Sequence, residues 1–137
     1  MNPQLKVIIY EEKNILLNLL QLLDSQYEFL LSKNVIEIDQ IAIEIDKVSK
    51  NLADIELKRR SFLKKEDEFK DIIENSNDLY IVNTYGEIKS ILEKIQQQKE
   101  ANELFIKQEL MFTKKMIGII KPSKNISTYN SYGQIKK

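Results

Sequence analysis

From Ile38 onward the chain places a seam residue every three or four positions: Ile38, Ile41, Ile45, Val48, Leu52, Ile55, Arg59, Phe62, Glu66, Phe69 and Ile73. Spacing that alternates three and four over such a stretch is the period of a helix supercoiled against neighbouring helices. It predicts one continuous helix, about 50 Å long at the usual rise per residue. Composition supports this: three glycines, two prolines and no tryptophan leave little material for hairpins, barrels or Gly-rich phosphate loops. The chain reads as mostly helix.

Two more helices flank that segment. The first is expected to start with Asn2 as N-cap and Pro3 at the first helical position, where a missing N–H costs nothing. Its apolar residues (Leu5, Ile8, Ile9, Ile15, Leu16, Leu19, Leu22, Leu23, Tyr27 and Leu30) make one stripe, and Ser32, Lys33 and Asn34 read as its end. Either Asn34 with Glu37 or Asp39 alone caps the second helix, which the cluster Asn75-Ser76-Asn77-Asp78 closes. The third begins after Asp78 or, in preference, at Thr84, which has capping-box spacing to Glu87 although Gly86 weakens the first turn. Residues 79–84 then read as helix or as a short strand-like connection. Ile88, Ile91, Leu92 and Ile95 restart the stripe, Gln96 to Glu100 thin it, and Leu104 onward restores it. The expected fold class is all-α: an elongated antiparallel three-helix bundle or coiled coil over residues 1–120, followed by a flexible basic tail over 121–137.

Polar residues on the seam suggest a register. Folding the chain back near Val35 brings Glu12 opposite Arg59, and folding again near Asn77 brings Arg59 opposite Ile95 and Glu66 opposite Ile88. A Glu12–Arg59 ion pair would fix alignment at some cost in stability against apolar residues. The other reading is that Arg59 extends its charged head to solvent.

Much chemistry is excluded. No histidine supplies a neutral-pH acid–base group, and no cysteine supplies a thiolate, a disulfide or a zinc ligand. The carboxylate groups Glu11–Glu12, Glu37 with Asp39, and Glu66 to Glu68 read as solvated helix flanks. Neither a catalytic site nor a metal or cofactor site is expected. The 21 basic and 21 acidic residues cancel, so no global field attracts nucleic acid. The densest basic run, Lys58-Arg59-Arg60 with Lys64-Lys65, is surrounded by Glu56, Glu66, Asp67 and Glu68. Glu11 and Glu12 precede the apolar stretch Ile15–Leu23, and Asn18 and Gln21 interrupt it, which suits neither a signal peptide nor a membrane span. A cytoplasmic location is the expectation.

The end of the third helix carries more apolar surface than one seam needs. Phe105, Phe112, Met116 and Ile119 share a face, Ile106, Leu110 and Ile117 make an adjoining one, and Leu104 and Met111 project elsewhere. Two readings are open: contact with two neighbours inside a bundle, or a groove for a partner helix in which the methionines adapt to the occupant. Beyond Pro122 the tail has no acidic residue. Lys121, Lys124, Lys136 and Lys137 set its charge, and Ile126, Tyr129, Tyr132 and Ile135 are its apolar anchors.

The long Leu-rich first helix, the run Leu52-x-x-Ile55-Glu56-x-x-Arg59 and the ending Thr128-Tyr129-Asn130-x-x-Gly133 occur here in order over nearly the whole length. In these features the chain resembles the FlgN family of flagellar type III export chaperones. The resemblance implies a non-enzymatic cytoplasmic protein that binds terminal helices of hook-filament junction proteins of the FlgK and FlgL types. It would prevent their early assembly and deliver them to the export apparatus. It also implies client contacts toward the C-terminus, at Phe105, Ile106, Leu110, Phe112, Met116, Ile117 and Ile120, and docking on the export apparatus through Tyr129. Tyr132 does not follow from the motif, whereas Gly133 lets the chain turn after the tyrosine. In this reading the free protein is a monomer or weak dimer that folds alone. The alternative is a structural coiled-coil subunit of a larger complex, whose obligate interface would be the heptad seam itself.

Overall fold

The computed structural model of the protein describes the backbone of residues 3–62 and 66–120, with side chains at 3–62 and 70–120. Among the described residues the fold is all-α, with four helices: α1 (Pro3–Ser32), α2 (Val35–Ser61), α3 (Glu66–Asn75) and α4 (Leu79–Ile120). The chain divides into two compact units, Met1–Asn102 and Glu103–Lys137, and the division falls within α4. Residues 121–137, with Tyr129, lie outside the described residues.

The corner between α1 and α2 is made by two residues. Lys33 takes a left-handed conformation, φ 57°, so that its N–H reaches Leu30 O at 3.3 Å and the next N–H, of Asn34, reaches Phe29 O at 3.1 Å. These bonds satisfy two carbonyls that the helix end leaves over. A lysine there costs about 1–2 kcal/mol relative to an unstrained backbone. Asn34 then serves α2, accepting the Glu37 N–H on its Oδ1 at 3.3 Å. Of the two caps open to the sequence, Asn34 is the one used.

The second expected helix does not run on to Ile73. It stops at Ser61, with Phe62 as C-cap, and α3 starts afresh at Glu66. No proline or glycine marks the break in the sequence. Lys58, Arg59 and Arg60 sit in the last turn of α2, where the dipole favours cations. Ser61 Oγ donates to Lys58 O at 2.5 Å and the Phe62 N–H to Arg59 O at 3.2 Å, closing the terminus. The expected partnering of Glu66 with Ile88 involves a side chain outside the described ones.

The preferred start of the last helix at Thr84 is also corrected. Asp78 is the cap: its Oδ1 accepts the N–H groups of Tyr80 (3.0 Å) and Ile81 (3.4 Å), and residues 79–84 are helical. Its other oxygen meets Lys6 Nζ at 2.5 Å. The hydrogen bond from Lys6, then those from the backbone, hold the Asp78 carboxyl below its ordinary value of 3.8. Thr84 is buried one turn further in and turns its hydroxyl back to Tyr80 O at 2.7 Å. Asp78 wins because it satisfies two helix-end donors and an ammonium together, whereas Thr84 lies on the apolar stripe Ile81, Thr84, Ile88, Ile91.

The core of the first unit joins Leu5, Ile9 and Leu16 of α1 to Ile73 of α3 and Ile81, Ile88 and Ile91 of α4, with Leu52 of α2 packed against them. Each fully buried aliphatic side chain contributes about 1.5–3 kcal/mol against exposure. The α1 and α4 helices run in the same direction: Lys6 pairs with Asp78, Lys13 with Glu87, and Leu23 and Gln26 with Asn102. The α2 helix returns antiparallel to α1, and Arg59 Nε lies 3.2 Å from Glu12 Oε2. Ile41 and Ile55 are its two buried seam residues. Ile38, Ile45, Val48 and Leu52 are half-buried, so α2 is covered on a narrow face.

A buried amide completes this unit. Asn102 donates through Nδ2 to Leu23 O (2.9 Å) and Gln26 Oε1 (2.8 Å), and accepts on Oδ1 from Gln98 Nε2 (2.9 Å). Every polar atom of its side chain is matched, which is what makes burial of an amide tolerable.

Candidate partner-binding face

Glu103 to Ile120, the part of α4 in the second unit, has no proline to break it, and its side chains turn about 100° per residue. That rotation sorts the apolar residues into three stripes. Phe105, Phe112, Met116 and Ile119 form one, with Ile120 at its edge. Ile106, Leu110 and Ile117 form the second, and Leu104 with Met111 and Gly118 the third. Polar ridges separate them: Gln108 with Lys115, Glu109 with Thr113, and Glu103 with Lys107 and Lys114. Within the second ridge the Thr113 hydroxyl donates to Glu109 O at 2.9 Å, so the ridge is tied to its own backbone.

Most of these stripes face solvent. Phe112 is 58% exposed, Ile120 70% and Ile106 46%, and Met116 is also exposed, while Phe105, Leu110 and Ile117 are half-buried. The structure thus brings all seven residues singled out by sequence onto one described segment, on two of its three stripes. Leu104, Met111 and Ile119 share the exposure and were not among those seven. The spacing of Ile119 from Phe112 and Met116, and of Leu104 from Met111, was the signal that includes them. At about 25 cal/mol per Å² of apolar surface, covering such side chains is favourable.

Elsewhere, an apolar groove of about 410 Å³ opens between the first turns of α1 and the end of α2, lined by Gln4, Val7, Ile8, Lys58, Ser61 and Phe62. Among the described residues no group of three acidic side chains is placed to hold a metal ion. No helix among them is long and apolar enough to cross a membrane.

The described residues thus form a helical body that leaves large apolar side chains of α4 exposed. The chain belongs to the FlgN family: the model of that family, described as FlgN protein, matches residues 1–137, the whole chain. It is therefore a flagellar export chaperone. No curated protein and no solved structure matches it.

Proposed function

We propose that this chaperone binds the terminal helices of hook-filament junction proteins of the FlgK and FlgL types in the cytoplasm and hands them to the type III export apparatus. The client lies along Phe105, Ile106, Leu110, Phe112, Met116, Ile117 and Ile120, and Tyr129 engages the apparatus. The work is burial of apolar surface, helix against helix, and needs no catalysis and no cofactor. The observation that carries this reading is the exposure of large apolar side chains along α4 from Leu104 to Ile120. Glu12 and Arg59 have a structural role in it, holding α2 in register on α1.

Co-purification with the terminal-helix segments of candidate junction proteins, read by light scattering, tests it. A discrete 1:1 complex that keeps an otherwise aggregating client in solution is the expected result. A stable self-oligomer that takes up no client would replace the reading with that of a structural coiled-coil subunit. Truncation after Pro122 is expected to leave client binding intact and to impair delivery. Loss of client binding on that truncation would remove Tyr129 from its proposed role.

A further inference from the structure

Two-electron oxidants find few targets in this chain. It has no cysteine, histidine or tryptophan, and its sulfur is confined to three methionines. Met1 lies outside the described residues, whereas Met111 and Met116 both belong to the exposed length of α4. They are 52% and 39% exposed, although methionine is among the side chains most often buried.

Five residues apart, the two stand about 140° from one another around the helix, so they occupy different stripes. Met116 follows Phe112 by one turn and precedes Ile119 and Ile120. Met111 lies between Leu104 and Gly118 on the third stripe, and Gly118 leaves its flank open: a Cβ there would meet nothing within 4 Å. A small peroxide reaches both side chains without any opening of the fold.

We infer that Met111 and Met116 are a paired oxidation site through which a peroxide releases the client, an inference that rests on the client reading above. The thioether sulfur attacks one peroxide oxygen. An S–O bond forms as the O–O bond breaks, sulfur gives up an electron pair, and the second oxygen departs as water with both peroxide protons. A sulfoxide, which accepts hydrogen bonds, then stands where an adaptable apolar side chain was. The N–H groups of a helical client are already used within its own helix, so it supplies no donor to the new oxygen. Two of the three stripes thus carry an acceptor that a client helix buries unpaired, at a cost in affinity. Neither methionine belongs to the core of the first unit, so the fold is spared. The change is reversible. A methionine sulfoxide reductase takes two electrons from a pair of thiols, which become a disulfide, and returns the thioether and water.

Hydrogen peroxide added to the full chain, with free methionine in the same tube as a reference, tests the inference. Peptide mass mapping is expected to find one oxygen gained at each of Met111 and Met116, at rates within about tenfold of the free amino acid. Circular dichroism and the thermal melt are expected to match those of the untreated chain. Binding of an apolar fluorescent dye is expected to fall, and capture of a junction-protein terminal helix to weaken by about tenfold or more. Met111→Leu with Met116→Leu keeps the face apolar and retains Met1. Whatever that variant's own affinity, peroxide is expected to leave it unchanged. Methionines that resist a dose oxidising the free amino acid overturn the inference, as does an oxidised, folded chain that takes up dye and client as before. An untreated chain that takes up dye but no client removes the client reading instead, and the dye then decides the oxidation site by itself.

Discussion

Arg59 Nε of α2 sits 3.2 Å from Glu12 Oε2 of α1, with the two side chains 11% and 9% accessible to solvent. Two charges removed from water repay that cost only when held together. Removing one leaves the other stranded, at about 3–5 kcal/mol for a buried pair. Glu12→Leu and Arg59→Leu are each expected to destabilise on that scale in urea unfolding. The double substitution is expected to be near neutral or stabilising. If either single change costs under about 1 kcal/mol, the pair behaves as an exposed one and does not hold α2 to α1.

Asn102 makes a different kind of demand. Its amide donates to Leu23 O and Gln26 and accepts from Gln98, so Asn102→Ala deletes three hydrogen bonds and opens a void; the expected loss is about 1–3 kcal/mol. Asn102→Asp is nearly isosteric but aims a carboxylate at the Leu23 carbonyl. It should destabilise more at neutral pH than in mild acid, where the protonated group donates again. Equal effects at both values would mean that water reaches the site.

The periodicity that reveals the helices was blind to both of these details in part. Glu12 and Arg59 stand out on an apolar seam as misplaced charges, and folding the chain at Val35 is enough to set them opposite each other. Asn102 carries no such mark: it follows the polar run Gln96 to Glu100 and looks solvated until α1 is laid beside it. The end of α2 at Ser61 was hidden because the three–four spacing continues through Phe62, Glu66 and Phe69, and periodicity reports faces rather than breaks. Thr84 misled in the opposite direction, since capping-box spacing inside an apolar stripe competes with Asp78, which also reaches Lys6.

That Asp78–Lys6 contact gives the start of α4 an acid dependence. Its carboxyl is held below 3.8 by Lys6 and the helix-end N–H groups. A depressed folded pKa means stability that is complete above the unfolded value and is lost as pH falls through the folded one. Asp78→Asn keeps a good N-cap but gives up the charge. The expected result is a lower melting temperature than the parent at pH 7, with the difference closing in the acid range below 3.8. A difference that stays constant down to strong acid would show that the ion pair does not contribute.

Phe112 and Met116 are the sharpest probes of the α4 face, because they lie one turn apart on the same stripe and both are exposed. Truncating a side chain that packs inside a fold costs several kcal/mol, whereas an exposed one away from special features changes stability by about 0.5 kcal/mol or less. Phe112→Ala with Met116→Ala is therefore expected to leave helicity and thermal unfolding almost unchanged. The same pair should weaken capture of a junction-protein terminal helix by about tenfold or more, since aromatic anchors dominate such contacts. Titration calorimetry against the client segment, beside a thermal melt of the free protein, reads both quantities on one preparation. A large drop in melting temperature would make these side chains part of the chaperone's own packing and remove them from the client site. Unchanged affinity in a well-folded variant would move the client to the stripe of Ile106, Leu110 and Ile117.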